Sequence, residues 1–92
     1  MNWIAKQSYY KVERELSNLE QKTVVYNRWI YLYKEKVVTQ YREFPIKEVL
    51  DISYRQMGDR GGLLYLHTRQ GVYSYLVSDD PRPFIDKFKS FR

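Results

Sequence analysis

The chain contains no cysteine, so disulfides, thiolate metal sites and cysteine nucleophiles are excluded together. Its one histidine, His67, is too few for a multi-histidine metal site. Four glycines and three prolines leave no low-complexity tract or linker. No apolar run approaches the ~20 residues that a membrane-spanning helix needs. The opening "MNWIAKQSYYKVEREL" is interrupted by charge too early for a signal peptide. A cytoplasmic location is the expectation that follows. Ninety-two residues allow one domain, 1–92, built on one core.

What is abundant is tyrosine, with ten copies, and positive charge, with 16 Lys and Arg against 11 Asp and Glu. The net charge of +5 favours polyanions and anionic surfaces at long range. No two basic residues are adjacent, and acids are interspersed throughout. That is the distribution of a mixed, solvated surface, not of a dedicated basic stripe.

Residues 22–78 alternate strand-like runs with short turn signals, the pattern of an all-β domain. "KTVVY" is β-branched and aromatic, and "NR" at 27–28 reads as a tight turn into "WIYLY". The polar "KEK" at 34–36 separates this from "VVTQYREF", which Pro45 ends because it offers no amide to a ladder. In "VLDISYRQ" the alternation puts Leu50, Ile52 and Tyr54 on one face and Asp51, Ser53 and Arg55 on the other. "MGDRGG" is a loop whose glycines allow positive φ, and "QG" joins "LLYLHTR" to "VYSYLVS".

From residue 80 the period changes. Asp80 is expected to cap a helix over 80–91, with Pro81 at its first position. Phe84, Ile85, Phe88 and Phe91 then share one apolar stripe, which should pack on the strands. Residues 1–21 support two readings. Tyr9, Val12, Leu16 and Leu19 have helical spacing, whereas Tyr10, Val12, Arg14 and Leu16 alternate as a first strand would.

"RWIYLYKEKVVTQYREFPIKEVLDISY" runs as hydrophobic strand, polar turn, strand, then Phe44, Pro45, Ile46 and Val49 in an "IPL-x-x-I" type of element. "GLLYLHTRQGVYSYLV" follows as a last hairpin and "PRPFIDKF" as a helix. In these features, across about residues 22–91, the chain resembles the bacterial branch of the pleckstrin-homology-like (PH-like) family. The resemblance implies a mainly β fold: a small barrel of six or seven antiparallel strands capped by one C-terminal helix. Seven strands require residues 9–16 to supply the first. It also implies a scaffold for binding, without cofactor or catalysis. Eukaryotic members bind membrane lipids, and bacterial members bind largely unidentified partners.

Phosphoinositide-binding members carry basic residues around the first hairpin. Here "KEKVVTQYR" supplies Lys34, Lys36 and Arg42, with Gln40 where the family has a second basic residue. Such cations would hold a phosphate through charge-assisted bonds, or simply keep an exposed edge soluble. Arg60, in the glycine loop, is a further cation for a lipid headgroup. "MGDRGG" lacks the Lys-Ser/Thr and the following helix of a phosphate-cradling loop, so it reads as a hairpin loop. His67 has no nucleophile at recognisable spacing, and no serine lies in a Gly-x-Ser-x-Gly turn. No catalytic or metal residue is expected.

Trp29, Tyr31 and Tyr33 share one strand face, and Tyr73 and Tyr75 share another. Such aromatics fill a small core, hold single-stranded nucleic acid, or form a protein-binding patch. The reading that results is a non-enzymatic interaction module that binds a protein partner or itself. The alternative is an anionic ligand: single-stranded nucleic acid through exposed aromatics, or lipid headgroups through the basic loops.

Overall fold

The structure is a computed structural model that describes residues 2–17, 19–59 and 61–91. Seven antiparallel strands form one sheet: β1 (Ala5–Ser17), β2 (Glu20–Leu32), β3 (Lys36–Val38), β4 (Glu43–Pro45), β5 (Val49–Gln56), β6 (Gly62–Thr68) and β7 (Gly71–Val77). One helix, α1 (Arg82–Lys89), follows them. The spatial order β4-β3-β2-β1-β7-β6-β5 leaves β4 and β5 as unjoined edges, so the sheet is not closed. It is nevertheless curled. Phe44 of β4 lies 5.1 Å, ring to ring, from Tyr73 of β7, four strands away in the order. One hydrophobic cluster takes residues from every strand and the helix. No helix among the described residues is long and apolar enough to cross a membrane.

The N-terminal segment is a strand. Residues 5–17 pair residue for residue with 20–32, from Ala5↔Leu32 to Ser17↔Glu20. The turn expected at Asn27-Arg28 is absent, because both residues lie inside β2 opposite Tyr10 and Tyr9. The β-rich run "TVVYNRWIYL" instead continues through them, and the chain reverses near Leu19, whose φ is 70°. In this register Tyr9, Ile30 and Leu32 face the core, while Val12, Leu16 and Val25 occupy the outer face. Past Tyr10 the hairpin outruns the rest of the sheet. Leu16 is 76% and Leu19 100% exposed at its tip, and the molecule measures 50 × 28 × 27 Å.

Strand β6 alternates without fault, with Gly62, Leu64, Leu66 and Thr68 buried. Its neighbour β5 does not. The register passes from Val49↔Thr68 to Asp51↔His67, so Leu50 is an extra residue in a bulge. Val49 and Ile52 are both buried, and Leu50, expected on the face of Ile52, is 47% exposed. One inserted residue moves it to the other face.

The helix begins later than expected. Pro81, not Asp80, occupies the cap position, although Asp80 Oδ1 still accepts the Arg82 amide at 3.0 Å. The Asp80 carboxylate also takes the Arg82 guanidinium at 2.8 Å, and these bonds hold its pKa below the ordinary carboxylate value. Phe84, Ile85 and Phe88 are buried, with Phe88 fully so. Phe91 is the exception to the expected stripe. It lies beyond the helix end at Lys89 and is 42% exposed.

Candidate functional site

Three places gather side chains with chemistry beyond core packing. The first is the outer face of β2. Ile30 and Leu32 point inward, so Trp29 and Tyr31 must point out, and Tyr33 continues the row just past the strand. Trp3 joins from the segment before β1, its ring 6.1 Å from Tyr31, and Tyr31 lies 6.4 Å from Tyr33. Lys6 stands opposite Tyr31 on β1. Its Nζ lies 4.3 Å from the Trp29 ring and 5.2 Å from that of Trp3. Lys36 Nζ lies 5.7 Å from the Tyr33 ring and 3.2 Å from Glu43. Lys34 sits in the β2–β3 turn, which the Tyr33 amide closes on the Lys36 carbonyl.

The second place is a cleft at the end of the sheet from which the β1–β2 hairpin projects. β1 and β7 share one registered pair, Tyr10↔Leu76, and the two strands then diverge. The gap, about 540 Å³, is bounded by β1, β2, β7 and the β3–β4 turn. That turn is built by Thr39: its amide donates to the Arg42 carbonyl at 2.8 Å, and its Oγ1 accepts the Arg42 amide at 3.2 Å. It is pinned to β1 because the Gln40 amide donates to the Tyr9 hydroxyl at 3.3 Å.

Arg42 consequently enters the cleft. Its guanidinium carbon is 4.7 Å from the Tyr73 ring, and that of Arg28 is 4.8 Å from Tyr41. Lys11 contributes a third cation, paired with Glu13 at 3.6 Å, and no residue of the lining itself is a carboxylate. Tyr9 and Tyr75 form the floor with rings 5.0 Å apart. Burial pushes the Tyr75 phenol above its ordinary pKa, against the opposing pull of its Thr39 hydrogen bond. A guanidinium that gains cation–π attraction from a ring still carries N–H donors for an acceptor. Chemically, such a lining can receive an anionic group carried on an apolar body.

The third place is the outer face of β5 and β6. Ser53 Oγ and His67 Nε2 are 2.7 Å apart, and Asp51 lies opposite His67 in the ladder. No partner for His67 is visible in the linear sequence, because Ser53 is fourteen residues away and meets it only through strand pairing. Neither side chain lines the cleft. Among the described residues, no group of three or more His, Asp or Glu is placed to hold a metal ion.

The seven residues expected from the sequence to bind a partner therefore divide. Trp29, Tyr31, Tyr33 and Lys36 come together in the outer row, with Lys34 beside them. Arg42 does not join Lys34 and Lys36, because it sits at the opposite end of β3. Arg60 lies outside the described residues. The glycines beside it serve the hairpin: a Cβ at Gly62 would overlap the Arg55 carbonyl oxygen, and Gly61 needs its φ of 71°. Tyr73 and Tyr75 face the core side and the cleft. No protein-family model matches the chain, and no curated protein matches it.

Proposed function

We propose that this chain is a non-enzymatic interaction module of the PH-like type, acting in the cytoplasm, whose cleft holds an anionic group presented by a partner protein. The observation that carries this reading is the cleft itself. It gathers Arg28 and Arg42 among tyrosines without a lining carboxylate, and adds Lys11, which pairs with Glu13 at 3.6 Å just outside the lining. Cations in a partly desolvated groove make charge-assisted bonds and speed encounter with an acidic partner. Val12, Leu63 and Leu76 line the same groove. A peptide supplies apolar contact alongside an acid, which a small free anion does not. Seven antiparallel strands and one C-terminal helix, in that chain order, further support the PH-like part of the reading.

Titration of the isotope-labelled chain with a glutamate- and tyrosine-containing peptide tests the proposal. The amides of Lys11, Arg28, Arg42 and Tyr73 should shift at low salt, and Arg28→Gln with Arg42→Gln should abolish the response. Absence of shifts at these residues would refute the reading. Anionic vesicles that move these amides where the peptide does not would transfer the site to a lipid headgroup.

The projecting hairpin favours a second reading, self-association. Val12, Leu16 and Val25 form an exposed apolar strip on its outer face. Sedimentation should then show a concentration-dependent dimer that Leu16→Lys converts to monomer, and a monomer at all concentrations would end this reading.

A further inference from the structure

The outer row on β2 is a different surface from the cleft, and none of its rings takes part in the reading above. We propose that it binds single-stranded nucleic acid, with bases on the aromatic rings and phosphates on the lysines. The first support is spacing. Outward residues on one strand recur every second residue, about 6.8 Å apart for a rise of ~3.4 Å per residue. The Tyr31–Tyr33 ring separation of 6.4 Å follows from this, and Trp3, from the segment before β1, adds a ring 6.1 Å from Tyr31. Stacked nucleotides advance ~3.4 Å along one strand, so the row is spaced at about twice that interval. A strand laid along it must unstack and give one base to each ring. That is the arrangement in which aromatic platforms hold single strands and exclude duplexes.

The second support is where the charges stand. Lys6 is over Trp29 and near Trp3, and Lys36, which also pairs with Glu43 at 3.2 Å, is over Tyr33 at the other end of the row. Each ammonium occupies a ring face that a base would cover, on a stem long enough to swing aside onto a phosphate. The row therefore keeps its ring contacts and its charge contacts when a strand binds. An apolar protein surface offers no such exchange, because covering the row would strand the Lys6 ammonium without a counter-charge. Trp29 is 43% exposed, so its ring is reachable without unfolding the strand.

Both tryptophans of the chain, Trp3 and Trp29, belong to this row, which makes intrinsic fluorescence a direct reporter. A short oligothymidylate at low salt should quench the emission saturably, because a stacked base deactivates the indole. Trp29→Leu keeps an apolar side chain but removes the ring face. It should weaken binding roughly 5- to 150-fold, read from the remaining Trp3 signal. Lys6→Gln should reduce the salt slope by ~0.7. Arg28→Gln with Arg42→Gln should leave the quenching unchanged, which separates this surface from the cleft. The proposal is overturned by absence of quenching at low salt, by equal binding of a duplex, or by loss through the cleft variant instead of Trp29→Leu.

Discussion

Phe88 and Phe91 lie three residues apart on what the sequence draws as one stripe, yet the fold uses them differently. Phe88 has no exposed surface and sits in the hydrophobic cluster with Phe84 and Ile85, whereas Phe91 is 42% exposed beyond the helix end. Phe88→Ala removes a whole buried ring, a change that costs about 3–5 kcal/mol once the cavity is included. A domain of this length holds on the order of 5–14 kcal/mol at ~0.05–0.15 kcal/mol per residue. The variant should therefore lose a large share of its stability. At ~4–8 °C per kilocalorie its melting temperature should drop by at least about 12 °C. Phe91→Ala should cost about 1 kcal/mol or less, as partly exposed sites do. Thermal and urea unfolding followed by circular dichroism on both variants gives the comparison. Equal losses, or a Phe88→Ala melting temperature within ~2 °C of wild type, would refute the placement of the helix.

Three further outcomes follow from the fold. Ile52→Ala should cost about 2–5 kcal/mol and Leu50→Ala about 0.5 kcal/mol, and denaturant midpoints in the reverse order would remove the bulge. Gly62→Ala should destabilise toward the upper end of ~1–3 kcal/mol by driving a Cβ into the Arg55 carbonyl, whereas Gly58→Ala, with open space around it, should cost only its ~1–2 kcal/mol backbone penalty. The Arg82 side chain, then its amide, holds the Asp80 pKa below its usual value. A depressed folded value stabilises above the ordinary carboxylate range and is lost as pH falls through it. The melting temperatures of wild type and Asp80→Asn should thus converge in acid, and a difference independent of pH would contradict the pairing.

Local pattern made much of this fold legible. The alternation in "LLYLHT" places Leu64 and Leu66 inside, and the change of period after residue 80 marks the helix. Features that depend on a partner strand were not legible. The Leu50 bulge exists only in the register between β5 and β6, and the reversal near Leu19 puts a leucine, rather than a glycine, at a φ of 70°. The site divides along the same line. Trp29, Tyr31 and Tyr33 declare a shared face by simple alternation, but Trp3 and Lys6 reach them only through the β1–β2 pairing. The cleft draws on residues 9–12, 28, 39, 41–42, 63 and 73–76, so no window of sequence contains it. Arg42 shows the limit most directly. Sequence proximity groups it with Lys36, and one tight turn sends it to Tyr73 instead.

The seam between β1 and β7 has a consequence for how the chain assembles. On one side of it, β1 to β4 pair only with sequence neighbours, and on the other side so do β5 to β7. Each set can form through short loop closures, which are fast. The seam itself joins Tyr10 to Leu76 and is reinforced by Gln7 and Ser8, which donate to Asp79 at 3.2 and 2.8 Å. Helix α1 then touches both β1 and β5 and acts as a clasp across the two sets. Joining the halves is thus the slow, late event, and the clasp follows the last strand in chain order. The N-terminal meander must wait, with one flank of β1 unpaired, until β7 and the clasp have followed it.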